Sequence, residues 1–234
     1  MNIKKFNIKN HNPRELAELK FSVDPETFLK IFKSKQKAIL AIEQLIEVEN
    51  SRISQSSRNS TETFVLTENN ADNDDNRNNE EVFGFFQILK GNKKSFLHEI
   101  IFILKNLKID LALKFIYIEI LDYLVLSKFD EGDLYLAEVA ISKNKQGKGY
   151  GKHLLNKTIE IAKKEGFKRV ILDVELDNTK AREVYEKFGF KIFNKRTDKI
   201  FNKERGMYNM EYILWWNLDI LTYYWILIKV ILIF

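Results

Sequence analysis

Gln146, Gly147, Lys148, Gly149, Tyr150 and Gly151 make a turn suited to holding an anion. Three of the chain's nine glycines fall here, and a Gly-rich turn that opens a helix leaves backbone N–H groups unpaired and aimed at one point. Missing Cβ atoms let a ligand approach closely. Lys148 and Lys152 add positive charge. The Gly-Lys-[Ser/Thr] ending of a mononucleotide loop is absent, and the glycine spacing departs from the dinucleotide pattern. Asp173 and Glu175 still offer ribose-binding carboxylates, so on these residues alone a dinucleotide stays open. Glu138 stands in the run Leu136-Ala-Glu-Val-Ala, where an ionisable group in a buried strand needs either a partner, such as a Lys or Arg from a neighbouring strand, or a function. Tyr185 carries a phenol that is protonated at neutral pH, since its model-compound pKa is ~10.

These residues depend on the elements around them. An apolar strand at 134–141 leads into the turn. The helix leading out buries Leu154, Leu155, Ile159, Ile161 and Ala162 at helical spacing. A strand at 169–174 closes a βαβ-like unit. The next helix is opened by Asp177 or Asn178 as N-cap and closed by Gly189.

The pair Q-x-x-G-x-G at 146–151 and N-x-x-A-x-x-x-Y-x-K-x-G-F at 178–190, separated by one helix and one strand, resembles the GNAT superfamily of acetyl-CoA-dependent N-acetyltransferases. Two motifs in this order and separation are far more specific than either alone. The match is carried by residues 134–195; the remainder fits in its order of elements.

The resemblance implies an α/β fold with a mixed, mostly antiparallel central sheet splayed between strands 4 and 5. It implies acetyl-CoA as cosubstrate, no metal, and a primary amine of a small molecule, peptide or protein as acceptor. Backbone amides from Gly147 through Lys148, Gly149 and Tyr150 to Gly151 would hold the pyrophosphate, with Gln146 starting the loop and Lys152 beside it. Val139, Ala140 and Ile141 would pair with the pantetheine arm, and Asn178 and Ala181 would line the cofactor channel. Tyr185 is implied as general acid toward the sulfur, and Glu138 or Asp173 as general base, with Glu138 preferred. Read without the motif, Tyr185 is simply a core aromatic of an amphipathic helix. An alternative function is a non-catalytic acyl-CoA-binding module, membrane-associated through its C-terminal segment.

With 234 residues and 45% hydrophobics the chain can bury a sizeable core, and residues 1–214 read as one domain. Cysteine is absent, which excludes disulfides, thiolate metal sites and a Cys nucleophile and suits a cytoplasmic setting. A net charge of +5 and pI near 9.1 are modest, and lysines interleave with glutamates, so nucleic acid is not an expected partner. No signal peptide is expected, because no apolar run follows the first residues.

The coarse pattern predicts strands at 2–7, 63–66 and 82–89 and helices at 14–21 and 25–49. Residues 51–60 read as loop, and the Asn/Asp-rich stretch 68–81 reads as a mobile hairpin loop that cannot offset its own ordering entropy. Residues 94–129 read as a helical insertion between strands 3 and 4, broken near 106–110, that walls the acceptor pocket, thickens the core or forms a dimer face. His98 within it reads as a structural histidine. Final strands are expected at 191–195 and 207–214, and Tyr208 or Tyr212 could touch substrate. Residues 215–234 form an apolar tail long enough to span a bilayer (~20 residues) but interrupted by Asp219 and Lys229. Its readings are a packed or dimerising helix, a membrane contact, or an extension foreign to the domain.

Overall fold

Asn12 and Asp24 accept hydrogen bonds from the amides of Arg14 (2.9 Å) and Thr27 (3.0 Å), and Pro13 and Pro25 follow at first helical positions. They start α1 (Pro13–Val23) and α2 (Pro25–Phe32). Within the helical stretch expected at 25–49, the chain breaks after Phe32, where Lys33 takes φ 62° and its amide closes on the Leu29 carbonyl at 2.9 Å. The break lets Phe32 and the Ala38, Ile39 and Ile42 face of α3 (Lys35–Ile53) enter one core.

The computed structural model describes residues 1–53, 61–69, 80–90, 96–200 and 203–214. The expected loop beyond residue 53, most of the expected mobile loop at 68–81 and the tail at 215–234 lie outside the described residues. Among the described residues no helix is long and apolar enough to cross a membrane.

The remaining elements are β1 (Asn2–Lys5), β2 (Thr61–Asn69), β3 (Glu80–Lys90), α4 (Phe96–Asn106), α5 (Ile109–Val125), β4 (Asp133–Ile141), α6 (Tyr150–Glu165), β5 (Arg169–Glu175), α7 (Thr179–Phe188), β6 (Lys191–Ile200) and β7 (Lys203–Ile213). The strands form one seven-stranded sheet in the order β1-β2-β3-β4-β5-β7-β6. Every pairing is antiparallel except β4 with β5. The expected helical insertion is α4 and α5, between β3 and β4, with its break at Leu107 and Lys108.

One face of the sheet packs against α6 and α7 through Phe86, Ile88, Leu134, Leu136, Leu154, Leu155, Leu172 and Met210. The other face packs against α1 to α5, with Phe85, Val65, Leu16, Ile42 and Phe115 in its core. The insertion thus contributes Ile103, Ala112 and Phe115 to the core.

Two irregularities shape the middle of the sheet. The parallel β4–β5 pairing runs from Asp133↔Arg169 to Leu136↔Leu172 and stops. At the same height the β3–β4 register jumps from Ile88↔Leu136 to Gln87↔Glu138, leaving Ala137 as an extra residue on β4. A bulge of this kind bends its strand and reverses the faces that follow. Leu134 and Leu136 face α6, whereas beyond the bulge Val139 and Ile141 do, and Glu138 turns to the α1 side.

Candidate active site

The turn at 146–151 is built as a cradle. Gly147 has φ 77° and Gly149 φ 84°, conformations that side chains rarely adopt, and Gly149 is the N-cap of α6 without any side-chain cap. The first amides of α6 therefore have no intrahelical partner. A Cβ placed on Gly147, Gly149 or Gly151 would meet no atom within 4 Å, so open space lies over that row of donors. An anion fits there, with Lys148 and Lys152 exposed beside it.

Gln146 anchors the turn, its Nε2 donating to the Ile141 carbonyl at the end of β4 at 2.9 Å. Tyr150 packs edge-on to Phe83, 5.2 Å between centroids. Lys145 lies over the other part of this anchor, 5.1 Å from the Phe83 ring and 2.5 Å from Glu68.

Beyond Leu136 and Leu172 the two central strands part, so the edge of β4 facing β5 at Val139, Ala140 and Ile141 is unpaired, while its other edge pairs with Phe86, Phe85 and Gly84. This is a slot through the sheet. Val139, Ile141, Tyr150, Ala181 and Tyr185 pack against the same core on the α6–α7 face. Asn178 starts α7 by accepting the Ala181 amide at 3.1 Å, so of the two candidate N-caps it is Asn178 that acts. Tyr185 meets Phe190 edge-on at 5.9 Å, and burial pushes its phenol up to about 12.

The two candidate carboxylates lie on the opposite face. Glu138 accepts a short hydrogen bond from Lys20 of α1 through Oε2, and Lys20 also donates to Gln87 at 2.9 Å. The cationic partner comes from a helix rather than from a strand. Its other oxygen, Oε1, takes no hydrogen bond among the described residues. Asp173 accepts from four donors: the Ser127 amide (2.7 Å), Ser127 Oγ (2.5 Å), Tyr135 Oη (2.8 Å) and Asn209 Nδ2 (2.5 Å). Ser127 and Asn209 carried no signal in the sequence, since both reach Asp173 only through tertiary folding.

His98 lies exposed on α4. Tyr212 packs on Phe188 and Phe190, and Tyr208 lies under Arg182 at 5.1 Å. Both belong to the α7 face.

The fold and cradle define a class. The model of the Acetyltransferase (GNAT) family matches residues 111–190, a span that runs from within α5 to the end of the second motif. Over those residues the chain matches a GNAT acetyltransferase domain. A curated relative, N-alpha-acetyltransferase 30 of Schizosaccharomyces pombe, is 34% identical over 56 residues, covering 24% of this chain and 37% of that protein. The chain thus spans little more than a third of the curated relative's length. Among solved structures, a protein described as an acetyltransferase superposes with a TM-score of 0.54 at 18% identity, covering 91% of this chain and 99% of the other. The smu.2055 protein of Streptococcus mutans UA159 does so with a TM-score of 0.54 at 14% identity, covering 91% and 99%. These likenesses show a shared fold, the mixed sheet with β4 parallel to β5.

Proposed function

We propose that this protein transfers an acetyl group from acetyl-CoA to a primary amine of a small molecule or of a peptide or protein. The observation that carries the reading is the open, glycine-rich row of amides at the start of α6, set at the end of a strand whose inner edge is free. Acetyl-CoA supplies the acyl group already activated as a thioester, so the protein's part is positioning and proton handling.

The amides from Gly149 to Lys152 hold the diphosphate, and the free edge at Val139, Ala140 and Ile141 guides the arm through the slot. Glu138 is the general base. Its Oε1 is unengaged and its side chain is 29% exposed, which leaves a lone pair within reach of an acceptor on the α1 side. Asp173 has no such vacancy. Tyr185 keeps its proton at Oη throughout the neutral range, because burial raises its pKa, and supplies it toward the departing sulfur. Base and acid thus work from opposite faces of the sheet, and the proton bookkeeping never converges on one residue.

The test is thiol release from acetyl-CoA across a panel of primary amines, with calorimetry of acetyl-CoA binding alongside. Tyr185→Phe is expected to lower turnover and leave acetyl-CoA affinity nearly intact. No heat on titrating acetyl-CoA into the wild-type protein would remove the reading altogether.

A further inference from the structure

Asp173 is the first residue of β5 beyond the last β4–β5 pair, so it stands where the slot opens, half-buried and on the same face as Glu138. Its oxygens take two donors each, which occupies the ~4 lone-pair positions of a carboxylate. All four donors are neutral. Elsewhere in the sheet carboxylates have cations: Asp133 and Glu211 share Arg169, and Glu138 has Lys20. Among the described residues no Lys or Arg pairs with Asp173.

Such a group has no unengaged lone pair to offer as a base. What it presents is a fixed and uncompensated negative charge. Its surroundings reinforce the sign: the Tyr135 phenol is pushed well above its ordinary range by burial and then by the charges of Asp173, Asp122 and Glu138. The fold also accepts a cost to hold it. Asn209 is completely buried and gives its amide N–H to Asp173 while its own Oδ1 finds no donor among the described residues.

We propose that Asp173 recognises the acceptor as a cation, drawing a protonated primary amine into the slot beside Glu138, with Ser127, Tyr135 and Asn209 as its positioning residues. This rests on the amine-acceptor reading above and divides labour between the carboxylates: Asp173, its lone pairs occupied, attracts the charge through space, and Glu138 removes the proton. Ser127 lies just beyond α5 and supplies two of the four donors, while Arg196 of β6 holds the neighbouring Leu126 carbonyl. The α4–α5 insertion is thereby fastened to the acceptor side of the site.

The test is calorimetric titration of the CoA-saturated full-length protein at pH 6 with two probes. One is phenylalanine amide, protonated at that pH, and the other is 3-phenylpropanamide, the same skeleton without the amino group. Wild type is expected to bind the ammonium at least about tenfold more tightly than its neutral counterpart. Asp173→Asn should bring the two probes together and leave CoA affinity within about twofold. Ser127→Ala keeps the backbone donor, should lose part of the preference, and carries the test should Asp173→Asn not fold; Ser127→Thr should restore it. Equal binding of the probes by wild type, or a preference that survives these changes, overturns the proposal, as does an equal weakening of both probes. Thiol release is scored separately. Charge-selective binding without turnover would sink acetyl transfer and leave the role of Asp173 standing, and turnover with charge-blind binding would do the reverse.

Discussion

Replacing Gly151 by alanine separates two effects of opposite sign. Gly151 is the second residue of α6, is not among the positive-φ glycines, and a Cβ built on it meets nothing within 4 Å. In the free protein the change therefore adds no clash and removes unfolded-state freedom. Alanine exceeds glycine by ~1 kcal/mol inside a helix, and half of that is a fair figure for the first turn. For a chain of this size the free protein should melt about 1–2 °C higher. In the complex the same methyl group fills the space above the amide row. Losing one hydrogen bond to a charged group costs about 1.5–3 kcal/mol, or roughly 10- to 100-fold in affinity. Thermal melts with and without acetyl-CoA, paired with calorimetry, read both signs in one preparation. Unaltered acetyl-CoA affinity would refute the cradle, and a melt many degrees lower would refute the claim of open space. Gly149 is the less informative target, because its φ of 84° would add backbone strain to any loss of binding.

Gly206→Ala should do the reverse, since its Cβ would lie 2.6 Å from the Arg196 carbonyl and 2.7 Å from Leu176 Cδ1: a loss of about 1–3 kcal/mol in denaturant melts with acetyl-CoA affinity of the folded protein unchanged. Arg169→Ala removes the cation that bonds Asp133 at 2.7 Å and Glu211 at 2.7 Å; allowing for partial exposure, about 2–4 kcal/mol should be lost, and adding Asp133→Asn should cost less than the sum of the two changes. Alkaline stability should respond to Tyr185, whose phenol titrates at about 12 when folded against ~10 when unfolded. The folded state keeps that proton longer, so the contribution is complete below about pH 10 and is lost as pH rises to about 12, about 3 kcal/mol at most. Tyr185→Phe should therefore flatten the fall of stability over that window, as followed by urea melts at fixed pH steps.

The parts of the fold that could be read from the chain are those fixed by local chemistry. Asn178 and Gly189 bracket α7 by capping, and Gly149 starts α6, because such caps act on amides and carbonyls within a turn of themselves. The insertion was visible as two helical periods broken near 106–110. What stayed hidden depends on contacts distant in sequence. Ala137 looks like any strand residue, yet its bulge transfers Glu138 from the α6 face to the α1 face, where Lys20 meets it. Simple alternation would have left Glu138 with Leu134 and Leu136. Lys33 likewise gave little warning of a left-handed turn, because no Gly or Pro interrupts 25–49; Ser34, a favoured N-cap type directly before α3, was a local hint. Ser127 and Asn209 were silent, being ordinary polar residues until β5 brings a carboxylate between them.

The short seam between β4 and β5 has a mechanical consequence. Among the described residues, four residue pairs, Asp133↔Arg169 through Leu136↔Leu172, with the Lys168 amide donating to the Gly132 carbonyl beside them, rivet the β1–β4 half of the sheet to the β5–β7 half by backbone bonds. A guest threaded between the parted strands would act as a missing crossbar, stiffening two leaves joined along one short seam. Amide exchange at Val139, Ala140 and Ile141 should then slow on loading more than anywhere else in the sheet, making the empty protein the looser and more easily unzipped of its two forms.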